Sequence, residues 1–136
     1  MKKPIMTLIT ILLLSTPLFA AAAFAQALDK DGTAITWTFS FVDGKNVAKA
    51  KANAVKQLKE QGHINAKAAA STTLNKGHFA VLYAAYWVNG VLKSSYTFGF
   101  SSKSVEDAKS QALKELKKIK EWNEDQGYTV NKTGSF

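Results

Sequence analysis

His78-Phe79-Ala80-Val81-Leu82-Tyr83-Ala84-Ala85-Tyr86-Trp87-Val88-Asn89-Gly90-Val91-Leu92-Lys93-Ser94-Ser95-Tyr96-Thr97-Phe98-Gly99-Phe100 is the stretch that decides the fold. Two β-rich runs flank Asn89-Gly90, the pair best suited to the left-handed backbone of a two-residue type I′ turn. That turn sets the register. Val88 faces Val91, Trp87 faces Leu92, Tyr83 faces Tyr96, Val81 faces Phe98 and Phe79 faces Phe100. Side chains alternate across a strand, so one face of the hairpin is continuously apolar and aromatic. The other face carries Ala80, Leu82, Ala84 and Tyr86 against Lys93, Ser95, Thr97 and Gly99, and is smaller and more polar. A one-residue slip would turn the aromatic set into water.

Downstream, Ser104 precedes a segment in which Val105, Ala108, Ala112, Leu116 and Ile119 recur at spacings of three and four. This is the stripe of an amphipathic helix, and Ser104 with Asp107 resembles a capping box. Lys103 to Lys117 has a copy upstream. At an offset of 58, Lys45 to Lys59 matches it at eight of 15 positions. Phe39-Ser40-Phe41 matches Phe98-Gly99-Phe100, and Gln61-Gly62-His63 matches Gln126-Gly127-Tyr128. The chain therefore reads as a duplication, with halves at about 34–67 and 77–132. Val47, Ala50, Ala54 and Leu58 form the stripe of the first helix. Ile35, Trp37, Phe39 and Phe41 alternate with Thr36, Thr38 and Ser40 as a half-buried strand. Tyr128 to Lys132 reads as a final strand, and Ile64 to Lys76 as a strand with a loop or a short helix.

These patterns predict an α+β fold. It is a two-layer sandwich with an antiparallel or mixed sheet, two helices on the aromatic face and internal pseudo-twofold symmetry. The small-residue face is then open or half covered. Thr36, Thr38, Leu82, Tyr86, Lys93 and Thr97 are its candidate contact residues, and an exposed edge strand offers a further way to pair with a partner chain.

The N-terminus carries an address. Met1-Lys2-Lys3 is basic, Ile5 to Phe19 is apolar, and Ala23-Phe24-Ala25 fits the small-x-small cleavage pattern. Residues 1–25 are expected to be a secretory signal peptide, leaving a single domain over 26–136. No later run is long and apolar enough for a membrane anchor. Export to the periplasm or beyond is the expected location, and the absence of Cys suits an oxidising compartment.

The full chain holds 18 basic residues, all of them Lys, against 10 acidic ones, a formal charge of +8. Loss of Lys2 and Lys3 lowers this to +6. Without Arg the chain lacks the fork that grips phosphate and guanine, so sequence-specific nucleic-acid binding is not expected. Without Cys there is no thiolate metal site or thiol nucleophile. His63 and His78 have no metal-ligand spacing, and no phosphate-binding Gly loop or Gly-x-Ser-x-Gly elbow is present. No cofactor, metal or enzymatic activity is expected. Lys45, Lys49, Lys56 and Lys59 on the first helix form a candidate contact for a polyanion or an acidic partner.

The residues Gly99-Phe100-Ser101, Glu106-Asp107-Ala108 and Ala112-Leu113 give the second half a resemblance. From Phe79 to Val130 it is similar to a family of small secreted bacterial domains of unknown function. In these a hairpin leads through Gly-aromatic-Ser into a Glu-Ala-x-x-x-Ala-Leu helix and a last strand. The family commonly has cysteines after the helix, and this chain has none. The resemblance implies export and an α+β fold, with no activity attached. The leading expectation is an exported, non-enzymatic protein that binds another envelope or secreted protein, as an inhibitor or immunity-type factor. The alternative is an envelope polyanion-binding protein acting through the Lys-rich helix.

Overall fold

The computed structural model describes residues 20–136. The described chain runs β1 (Ala20–Leu28), β2 (Ala34–Asp43), α1 (Val47–Glu60), β3 (Ala66–Thr72), β4 (His78–Val88), β5 (Val91–Ser101), α2 (Val105–Lys117), a 3-10 turn (Glu124–Gln126) and β6 (Thr129–Ser135). The order ββαβ thus occurs twice. The strands form two antiparallel three-stranded sheets, β2-β1-β3 and β5-β4-β6. In each, the first strand of the unit lies in the middle and the last closes the far edge. Val47 and Val105 open the two helices, at the same offset of 58 that relates the two helix sequences. The α+β sandwich and its internal repeat follow the sequence pattern.

The turn at Asn89-Gly90 has both residues at positive φ, 51° and 80°. Every predicted pair of the hairpin is present, from Val88 opposite Val91 to Phe79 opposite Phe100. Ser104 caps α2 by accepting a hydrogen bond from the Asp107 amide at 3.0 Å, and Asn46 does the same for α1 from the Lys49 amide. The reciprocal half of the expected capping box is absent. The Asp107 carboxylate instead accepts from the Ser101 hydroxyl at 2.6 Å, tying the helix start to the end of β5.

The layering differs from the expected one. The aromatic faces of the two sheets pack against each other, and each helix covers the opposite, small-residue face of its own sheet. Phe24, Val81 and Phe98 are buried between the sheets with Trp37, Phe39, Phe79, Tyr96 and Phe100 around them. Outside, Ala50, Ala54 and Leu58 of α1 sit on Ala21, Ala23, Ala25 and Ala27 of β1. Leu116 of α2 sits with Ala84, Tyr86 and Trp122. The physical reason lies in side-chain size. A helix backbone approaches a sheet closely only over Ala, Gly, Ser and Thr, whereas large rings interdigitate across two sheets about 10 Å apart. Gly99 shows how close the approach is: a methyl group there would overlap the Ala108 carbonyl of α2. The Thr97 hydroxyl donates to the Ala112 carbonyl of the same helix at 2.9 Å.

A second difference concerns the N-terminal boundary. Residues 1–19 of the expected leader lie outside the described residues. Ala20 to Ala25 do not: they form most of β1, at the centre of the first sheet, and each is fully buried. The first repeat therefore extends back to Ala20, and a cut after Ala25 would fall inside its central strand.

Candidate functional site

The residues expected to form an open face are not open. Leu82, Tyr86 and Thr97 are buried beneath α2, and the Tyr86 hydroxyl is hydrogen-bonded to Ser95 Oγ at 2.7 Å. Thr38 Oγ1 meets Gln57 of α1 at 3.0 Å, while Thr36 and Lys93 are half-buried. The helices occupy this face, because it is the one small enough to receive them.

The helix lysines are exposed. Lys49 and Lys56 lie two turns apart on α1, Lys59 follows near its end, and Lys45 precedes the cap. Lys56 makes an i,i+4 pair with Glu60 at 3.8 Å. Lys51, Lys56 and Lys59 rim a shallow groove floored by Ala52 and Val55. The two histidines lie in different places. The His63 amide closes the end of α1 on the Leu58 carbonyl, and His78 Nδ1 pairs with Ser135 Oγ at 2.9 Å. Among the described residues, no three His, Cys, Asp or Glu side chains are placed to hold a metal ion, and no helix is long and apolar enough to cross a membrane.

A more structured feature lies where two sheet edges meet. Among the described residues β3 pairs only with β1, and β5 only with β4, so each has one edge that no described strand covers. Between them runs a cleft of about 640 Å³, a size typical of ligand sites. Its walls are two unbroken stretches of strand, Lys67–Thr72 of β3 and Tyr96–Phe100 of β5. Gln111 and Glu115 of α2 line one side and Gln26 of β1 another. On an edge strand, every second residue directs its amide and carbonyl away from the sheet, where they are available to another chain.

The chemistry of the cleft is that of a polypeptide acceptor. Ala68, Ala69, Ala70 and Ser71 keep the β3 wall low. The pairing of β3 with β1 slips at Phe24/Ala25, so Ala69 is a bulged residue without a partner across the ladder. Gln26 is the one polar residue in the Ala20–Leu28 strand, and its Oε1 is buried with no hydrogen-bond donor. An orphaned buried acceptor is rare and expensive in a folded protein; this one belongs to a residue of the cleft wall, and the oxygen itself is closed off from solvent. Tyr96 also lines the cleft. Its hydroxyl pKa is raised above 10.0, chiefly by burial and secondarily by Tyr83, whose ring is 5.3 Å away. Tyr96 is thus a neutral hydroxyl at physiological pH, able to donate or accept.

Sequence reasoning identified edge pairing as a possibility but not this location. The signal for β3 was weak, since Ala66-Lys67-Ala68-Ala69-Ala70-Ser71-Thr72 has no aromatic or branched apolar residue to mark a strand. The signal for Gln26 is a lone amide in an alanine run, hidden because the expected leader ends beside it. Family models, characterised proteins and solved structures yield no match to this chain.

Proposed function

We propose that this chain is an exported protein that binds another protein, and that it takes an extended segment of that partner into the cleft between β3 and β5. The observation that carries the reading is the pair of strand edges, unpaired among the described residues, that wall one cleft. Strand addition draws its affinity from main-chain hydrogen bonds and its specificity from pockets for alternate side chains. Six residues of β3 line the cleft, which gives a run of about 20 Å at roughly 3.3 Å per residue. An inhibitor or immunity-type factor would act by holding such a segment in the extended form. The net positive charge favours a partner that is acidic around that segment. The role is one of binding, without a catalytic step.

The test uses the exported chain as bait in an envelope extract, with Ala69→Glu as the comparison. Ala69 is exposed, so the substitution leaves the core intact while placing bulk and charge on the β3 edge. The expected result is one stoichiometric protein, cross-linked to β3 or β5 residues, captured by the wild type and lost with Ala69→Glu at unchanged circular dichroism. Capture of no partner under several conditions, or undiminished capture by Ala69→Glu, refutes the proposal.

A further inference from the structure

We infer that the leader is removed after Ala22, upstream of Phe24, and not after Ala25; this rests on the export reading and is independent of what the protein binds. Leader removal acts on an unfolded chain, so burial does not shield the bond. What burial decides is which product can fold.

A cut after Ala25 would remove six of the nine residues of β1. The ladder would lose the partners of Thr38 to Asp43 on β2 and of Ala68, Ala70, Ser71 and Thr72 on β3. Since, among the described residues, β2 and β3 pair with β1 alone, their inward amides and carbonyls would be left without partners in the interior. The cut would also delete Phe24, whose ring touches Trp37, Phe39, Phe79, Phe98 and Phe100 at centroid distances of 4.5 to 5.5 Å. Phe24 joins the two sheets, so its loss would leave a void in the centre of the sandwich. Ala21 and Ala23, which seat α1, would go with it.

The sequence offers an earlier site. Ala20-Ala21-Ala22 repeats the small-x-small pattern three residues before Ala23-Phe24-Ala25. Cleavage after Ala22 removes three residues of β1 instead of six, keeps Phe24 opposite Phe39 and Ala70, and keeps the Ala25 and Ala27 seat of Leu58.

The experiment expresses the full chain with its own leader in a double-membraned bacterium. The protein released from the periplasm is then analysed by intact mass and N-terminal sequencing. A first residue at Ala23 is the expected result. A soluble, cooperatively unfolding product that begins at Gln26 overturns the inference while leaving export standing. A chain that still begins at Met1 and stays in the cytoplasm overturns both. Neither result bears on partner capture, which is read separately through Ala69→Glu.

Discussion

Phe24 stacks on Phe98 across the two sheets, with ring centroids 4.5 Å apart and planes inclined by 17°. One ring comes from the central strand of the first repeat and the other from the edge strand of the second. The contact therefore reports on docking of the two halves. Phe24→Ala is expected to destabilise the fold by about 3–5 kcal/mol, the range for removing a fully buried ring. Urea unfolding followed by tryptophan fluorescence measures this, because Trp37 lies 5.4 Å from Phe24.

Gly99 has no room for a side chain, whereas its counterpart in the first repeat is Ser40, which is buried and accommodated. Gly99→Ala is expected to push α2 off β5 and to destabilise by about 1–3 kcal/mol through overpacking. Ser40→Gly is expected to cost less, about 0.5–1 kcal/mol, from backbone freedom. Equal midpoints for the two variants would contradict this asymmetry between the repeats.

Tyr96 is expected to ionise later than an ordinary tyrosine in a spectrophotometric titration, and Tyr83→Phe to bring its transition part of the way back. Burial remains as the larger cause, with the repulsion between the two phenolates removed. A tyrosine whose folded pKa lies above its unfolded value holds its proton longer when folded. Its contribution to stability is therefore complete below pH 10.0 and is lost as pH rises through the folded value. Stability that rises across that alkaline window would contradict the assignment. A segment bound in the cleft would bury Tyr96 further and delay its ionisation.

Replacing Lys45, Lys49, Lys56 and Lys59 together by Gln separates the two binding readings. Strand addition at the β3–β5 cleft predicts that the protein partner is still captured. Stability should shift by only a fraction of a kcal/mol per site, roughly within 0.5, since these side chains are on the surface. The ion pair from Lys56 to Glu60 is exposed on both sides and adds little. If wild-type retention on heparin or lipopolysaccharide falls steeply with salt, and disappears in this variant together with partner capture, α1 is the binding surface instead.

The hairpin from His78 to Ser101 was legible because turn chemistry and alternation agree at every position. The helices were legible because two copies of one stripe support each other. The partner of each face was not. Alternation shows that Phe79, Val81, Phe98 and Phe100 share a side, but a helix or a second sheet can cover that side equally well. β1 was concealed for a different reason. Ala20 to Ala25 merges with the apolar run of the leader, and alanine has little strand preference of its own. That segment is a strand because β2 and β3 pair with it on both sides, which no local pattern records. The cleft inherits both difficulties: one wall is the alanine-rich β3, and its orphaned acceptor belongs to β1.

The aromatic layer between the sheets also bears on how such a chain comes to exist. One ββαβ unit alone would present its ring-lined face to water, and the remedy open to it would be a second copy of itself. Such a pair would come apart on dilution. With both units in a single chain the association is intramolecular, and the fold holds at any concentration. The linkage also lets the copies diverge. One has kept glycine under its helix and the other serine, a difference that two identical subunits could not have acquired separately.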